Sequence, residues 1–317
     1  MSDTSPGPEA QSAAAVLMVR PAAFGFNPET AASNAFQQQE GAVRDLPAAA
    51  IMEFDAVVAA LRQAGIEVLV AADSDSPVKP DAIFPNNWVS FHHDGTVALY
   101  PMLALNRRAE RREEVLEQVT RQGGFRVSRL VDFSHREEEG KFLEGTGSMV
   151  LDRRGRLAYA CVSPRTDLDV LGEFAQQLDY DLVTFDALDA AGQQIYHTNV
   201  LMALGTGFAV LCGECIENDE RRAAVISKLR ASHREIIEIT RIQMQHFAGN
   251  VLELSSPQGP VLVLSQSAFE AFGADQRRRL AHHARLLPVT IPLIERYGGG
   301  GVRCMLAEIH LPKRRMS

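Results

Sequence analysis

Cys304 follows a run of four glycines, Gly298 to Gly301, and the dipeptide Val302-Arg303. A cysteine becomes a strong nucleophile once its thiol gives up the proton. Glycines before it let backbone approach a ligand closely and let a loop open and close. His197, in Tyr196-His-Thr-Asn199, has the side chain best suited to act as acid for a leaving amine and then as base for water. Glu144, in Leu143-Glu-Gly-Thr-Gly147, can orient that histidine or accept N–H groups of a substrate. Each residue alone has an ordinary explanation: a cysteine in an apolar strand is usually core, and a histidine can be a satisfied core residue. As a set they are the parts of covalent catalysis on a C–N bond.

Their spacing makes them a set. Asn87, Glu144, His197, Asn250 and Cys304 are separated by 57, 53, 53 and 54 residues. Each sits in a segment with a polar entry and an apolar run: 84–91, 143–151, 196–204, 247–254 and 301–309. A second short strand follows at 95–100, 157–161, 207–212 and 260–264, bounded by turn residues. Helical periodicity comes next, over 107–121 with Val115, Leu116 and Val119 on one stripe, over 166–178 with Leu168, Leu171 and Phe174 inward, and over 217–231 and 266–286. A third strand closes each unit, as at 181–185 and 235–239. The first unit takes strand 15–20, helix 46–64 and strand 66–71. The chain is therefore read as α/β, five repeats of strand, strand, helix, strand. One unit cannot bury both faces of its strands, but five around an axis can. The marker residues then meet at the centre.

Composition narrows the partners. Of 317 residues, 46% are hydrophobic and 23% charged, and the net charge is −8. A basic face for nucleic acid is not expected. No apolar run approaches the ~18 residues of a membrane helix. Residues 1–15 are small and polar, lack the order of a secretion signal, and are expected to be a disordered lead-in to a single domain over 16–317. Four cysteines do not make a disulfide framework, so a reducing cytoplasm is the expected setting. Cys212-Gly-Glu-Cys215 has the spacing of a redox or half-zinc motif. With no second pair to complete a zinc site, a structural role is favoured. A small-molecule partner is expected, with no metal or other cofactor; self-association stays open.

The chain resembles the guanidine-modifying enzymes of the pentein fold, the arginine deiminases, dimethylargininases and amidinotransferases. The motifs that carry the resemblance are Gly298-Gly-Gly-Gly-Val-Arg-Cys304, Leu143-Glu144-Gly-Thr-Gly147, His197-Thr-Asn199, Cys161-Val-Ser-Pro-Arg165-Thr166, Asp81-Ala-Ile-Phe84-Pro-Asn86-Asn87 and Pro101-Met-Leu-Ala-Leu-Asn-Arg107-Arg108-Ala-Glu110. The resemblance runs from about Val16 onward. It implies a pentein, a five-fold pseudosymmetric α/β propeller of ββαβ units, with Cys304, His197 and Glu144 catalytic. It also implies that Arg165, supported by Arg107, holds a substrate carboxylate, and that Asp81 takes the α-ammonium. Met18-Val-Arg-Pro21, the segment Phe24 to Thr30 and the segment Phe84 to Phe91 look most like the bacterial citrulline-utilisation hydrolases.

Two positions depart from the deiminase pattern. The final carboxylate of the Asp81 motif is Asn87, preceded by Asn86, and the carboxylate often found after the histidine is Asn199. A buried guanidinium needs carboxylates, because an unpaired buried charge costs several kcal/mol, roughly. A ureido group is neutral and offers both an acceptor and donors, which an amide matches. The expected reaction is citrulline to ornithine, ammonia and carbon dioxide through a covalent intermediate on Cys304. Arginine or methylarginine deimination, amidino transfer, and a pentein that only binds are the alternatives.

Overall fold

Among the residues described by the computed structural model, 9–39 and 43–314, fifteen strands form five three-stranded sheets. In chain order they are β1 (Ala15–Arg20), β2 (Glu67–Ala72), β3 (Val89–Phe91), β4 (Thr96–Leu99), β5 (Arg129–Asp132), β6 (Val150–Asp152), β7 (Leu157–Cys161), β8 (Asp181–Phe185), β9 (Met202–Leu204), β10 (Phe208–Leu211), β11 (Glu235–Glu238), β12 (Leu252–Ser256), β13 (Gly259–Ser265), β14 (Arg285–Val289) and β15 (Ala307–Ile309). In the sheet β6-β7-β8 the first two strands are antiparallel and the last two parallel. The other four repeat this pattern. A parallel pair needs a crossover, and a helix supplies it each time: Leu46–Gln63, Glu113–Arg121, Leu168–Leu178, Asp219–Ala231 and Ala274–His283. Helix Leu46–Gln63 shows the logic, burying Ala50, Phe54, Val57, Val58 and Leu61 on one stripe.

The first unit is split. β1 pairs with β15, antiparallel, and with β2, parallel. The ring is thereby closed by the first and last strands of the fold. Neighbouring sheets touch in a complete circuit, through β15 and β3, the turn 145–148 and β3, β6 and β9, β9 and β12, and β13 and the turn 302–305. This is the five-fold pentein arrangement.

Three expectations needed correction. The helix expected over 107–121 is two pieces, Leu105–Arg108 and Glu113–Arg121, with Arg112 extended between them. Arg107 is turned inward there and fully buried, which a continuous surface helix would not allow. The helix expected over 266–286 breaks at Phe272 and Gly273, where Gln276 closes a cap on the Gly273 N–H, and Leu286 belongs to β14. Leu168 is half exposed rather than inward, because Asp167 caps the helix and places Leu168 at its first, outer position.

The disordered lead-in fails for residues 9–14. The Glu9 carboxylate is buried and meets Arg153 at 2.9 Å, Arg156 at 2.8 Å and His93 at 3.1 Å. Gln11 donates to the Leu151 carbonyl at 3.0 Å and accepts from the Arg153 amide at 3.0 Å. Residues 1–8 of the expected lead-in, and 315–317 of the expected domain, lie outside the described residues.

Candidate active site

Each marker residue stands on one helical turn just before the first strand of its unit. Asn87 ends the turn Pro85–Asn87, Glu144 and His197 precede the turns Gly145–Ser148 and Thr198–Leu201, and Cys304 lies in Val302–Met305. Asn250 ends a turn bonded from its own N–H to the Phe247 carbonyl at 2.8 Å. Such a turn ahead of a short buried strand aims one side chain at the ring axis. Repeated five times, it brings the markers together.

A small cavity among them is lined by Thr30, Asn34, Asp81, Phe84, Asn87, Arg107, Arg165, Tyr196, His197, Gly298 to Gly300 and Cys304.

His197 Nε2 lies 2.9 Å from Glu144 Oε2, with both side chains buried. An ionised carboxylate only accepts, so the proton sits on Nε2 and Nδ1 keeps a lone pair. Burial lowers the His197 pKa to about 4 against the opposing pull of Glu144. At neutral pH the imidazole is an uncharged base. Burial alone would raise the Glu144 carboxyl, but Arg165, His197 and Arg107 outweigh it and hold Glu144 well below the usual carboxylate range. Arg165 Nη1 is 3.3 Å from Glu144, and the Leu103 N–H adds a bond of 3.2 Å.

Cys304 Sγ receives the amide N–H of Asn250 at 3.3 Å, and the Asn199 amide lies 3.6 Å away. Burial pushes the Cys304 thiol up, with Asn250 pulling it down by less. At rest the sulfur is therefore a thiol beside a neutral imidazole. No hydrogen bond joins Cys304 to His197 among the described residues, and both line the cavity.

Arg107 is largely committed to protein. Its Nε and Nη2 bind Glu110 at 2.8 and 2.9 Å, Nη2 also reaches the Phe84 carbonyl at 3.3 Å, and Nη1 donates to Asn87 Oδ1 at 2.9 Å. A guanidinium has donors only, so it fixes the orientation of the Asn87 amide. Asn87 Nδ2 is then left buried without a partner. Gly147 makes this packing feasible: a Cβ there would collide with Asn87 Nδ2 and sit 2.8 Å from His197 Nδ1. Asp81 accepts from Asn27 at 2.7 Å and Thr30 at 3.1 Å on Oδ2, while Oδ1 is buried and unpaired. Burial raises the Asp81 pKa, so an arriving cation would be favoured beside it.

Of the residues singled out in the sequence, Cys304, His197, Asp81, Asn87, Arg107 and Arg165 line the cavity. Glu144 reaches it through His197 and Arg165. Asn86 does not line it: its amide turns to Thr146 at 3.4 Å. Asn199 faces the Cys304 sulfur and not the cavity. Arg107 and Arg165 each have four of their five N–H groups committed to protein, and one of those of Arg107 positions Asn87. Arg165 also bonds Ser33 Oγ at 2.7 Å and the Thr30 carbonyl at 3.0 Å, and stacks over Tyr196.

The segment 27–38 had no assigned role. Asn27 accepts from the Glu29 N–H and starts the turn Pro28–Ala31, which carries Thr30. Asn34 Nδ2 and Tyr196 Oη both donate to the Gly299 carbonyl, at 3.2 and 2.7 Å, and the Gln38 N–H donates to Arg296 at 2.8 Å. This loop and the glycine run cover the cavity together, leaving Cys304 only 3% exposed. Asn250 had served only as a marker of the repeat, and that position was the signal for its place against the sulfur.

The profile of the family described as N,N dimethylarginine dimethylhydrolase, eukaryotic, matches residues 20–311. No curated protein matches in sequence. Among solved structures, the N-terminal domain of ArgZ, an arginine dihydrolase of the cyanobacterial ornithine–ammonia cycle, superposes with a TM-score of 0.70 at 17% identity, over 94% of this chain and 99% of that one. Unliganded AgrE gives 0.71 at 19%, over 95% of this chain and 40% of that one. The Pseudomonas aeruginosa DDAH complexed with citrulline gives 0.63 at 16%, over 94% and 100%. At these identities the likeness shows the fold alone. Among the described residues no helix is long and apolar enough to cross a membrane. By the family match, the chain belongs to the N,N-dimethylarginine dimethylhydrolase family, hydrolases of guanidino C–N bonds built on the pentein fold.

Proposed function

We propose that the chain hydrolyses citrulline to ornithine, the carbamoyl fragment leaving as ammonia and carbon dioxide. The observation that carries this reading is the Asn87 amide. Arg107 occupies its oxygen, so its free N–H donor is what remains for a ligand. The ureido group has an oxygen to accept that bond, whereas a guanidinium has only donors, and the buried donor would stay unpaired at about 1–3 kcal/mol.

The steps follow from the resting protonation states. Asp81 Oδ1 takes the α-ammonium, and Arg165 offers its remaining N–H to the α-carboxylate. The Cys304 proton passes to His197 Nδ1 as the sulfur bonds to the ureido carbon. The imidazolium, steadied by Glu144, gives that proton to the departing δ-nitrogen, and the C–N bond breaks to leave an S-carbamoyl cysteine. His197 then takes a proton from water, whose oxygen attacks the same carbon. The thiol is restored and carbamate leaves. Asn250 and Asn199 steady the sulfur while it carries charge.

A second reading, arginine or a methylated arginine as substrate, has its own support. Asp81, Glu110 and Glu144 face Arg107 and Arg165, one acid in excess, which favours a cation. Product analysis with citrulline, arginine and dimethylarginine side by side decides between them. Ornithine from citrulline is expected, and citrulline accumulating from either arginine compound would overturn the first reading.

A further inference from the structure

Cys212 and Cys215 take no part in that reaction. Residues Gly213–Cys215 form a single tight turn after β10, closed by the Cys215 N–H on the Cys212 carbonyl at 3.2 Å. Such a turn holds its end Cα atoms within about 7 Å, the range in which a disulfide can form, about 4.4–6.8 Å. Both side chains point to the same interior, and their free Sγ atoms lie 3.2 Å apart, with Met244 Sδ 3.7 Å from Cys215.

The two sulfurs are not equivalent. Arg241 lies across the turn, its Nη2 donating to the Glu214 carbonyl at 2.7 Å and its buried Nε without a hydrogen-bond partner. The Cys212 thiol and then Arg241 lower the pKa of Cys215, whereas Cys215 raises that of Cys212. The linking residues Gly213 and Glu214 are at the surface. Cys212 and Cys215 are themselves buried, so a reagent reaches them when this turn or the Arg241 side chain moves aside.

We propose that Cys212 and Cys215 form an oxidisable dithiol, a modification site that reacts with a low-molecular-weight disulfide and closes an internal disulfide. The Cys215 thiolate attacks one sulfur of the small disulfide and expels the other half as a thiolate, giving a mixed disulfide. Cys212 then loses its proton and attacks Cys215 Sγ, expelling the second half. The protein dithiol is oxidised by two electrons, and the small disulfide is reduced to two thiols that carry away the two protons. Closing to the S–S bond length of about 2.05 Å brings the sulfurs together by roughly 1 Å, within the reach of a surface turn.

Trypsin cuts after Arg165 and Arg221 and nowhere between, so these two cysteines share one peptide with no other cysteine. The native protein is incubated with oxidised glutathione, quenched in acid, denatured, alkylated and digested. The peptide 166–221 is expected to lose two hydrogens and escape alkylation, and to recover both on treatment with a thiol reductant. Cys212→Ser is expected to trap one glutathione on Cys215. Full alkylation of both cysteines in the oxidised protein, or an unmodified Cys215 in Cys212→Ser, overturns the proposal.

Discussion

At the scale of single residues, the site consists of a few groups whose hydrogen bonds leave particular atoms free. Cys304→Ser should abolish turnover and leave the melting temperature nearly unchanged, since the replacement is close in size; near-normal turnover would remove Cys304 from the mechanism. Asn87→Asp replaces the free donor with an acceptor and should lower kcat/KM for citrulline by about 10- to 100-fold, the equivalent of one unpaired buried group. Improved citrulline use in that variant would contradict the ureido argument. His197→Asn should cost about 10²- to 10⁴-fold in rate. It should also change acid stability. Native His197 resists protonation down to about 4, while an unfolded chain takes the proton near the ordinary value of 6.5. Folding stability is therefore lost as pH falls through that window, and Glu144, whose folded pKa is depressed, adds a further loss below it. Thermal melts from neutral pH to about pH 4.5 should show a shallower decline in His197→Asn than in the wild type. The chemistry of Cys304, His197, Glu144, Asp81 and Asn87 was legible in residue types and spacing. Which atom of Asn87 stays free was not, because the partner that decides it, Arg107, was expected to face the substrate.

At the scale of elements, alternating strand and helix periodicities placed the first strand, the second strands and the third strands at 66–71, 181–185 and 235–239 to within a residue or two, because each unit buries its own apolar stripe, whereas β5 and β14 were not placed. The helix failures lie at the inward, buried Arg107 and at the exposed Gly273, where the Gln276 side chain caps a new helix start. The loop 27–38 was quiet for a related reason: its bonds are made to backbone carbonyls of the glycine run, which leave no pattern in sequence. Gly299 has φ +63°, and a Cβ there would lie 2.6 Å from Asn34 Nδ2 and 2.8 Å from the Gln37 nitrogen. Gly299→Ala should therefore push the loop off the run. At about 1–2 kcal/mol for the left-handed backbone alone, KM is expected to rise about tenfold, with kcat less affected. Steady-state kinetics showing an unchanged KM would mean that the loop does not need that contact.

At the scale of the whole molecule, the ring is held by two closures distant in sequence, the β1–β15 pairing and the strap of residues 9–14 over the units beside it. Arg153 is almost wholly buried, and Glu9 is its hydrogen-bonded carboxylate. Glu9→Ala removes that hydrogen-bonded charge while Glu308 still faces Arg153, and should cost about 1.5–3 kcal/mol, a few degrees in melting temperature. A melting curve superposable on the wild type would show that the strap carries no load. The closure through β15 has a consequence for biosynthesis. β1 emerges from the ribosome early and must wait for β15, and Cys304 emerges just ahead of it, after every other residue of the site. The nascent protein thus completes its basic, acidic and amide groups well before it acquires a nucleophile. A half-made ring stalled during translation would be chemically inert, and its unpaired β1 edge would be the surface a chaperone needs to cover.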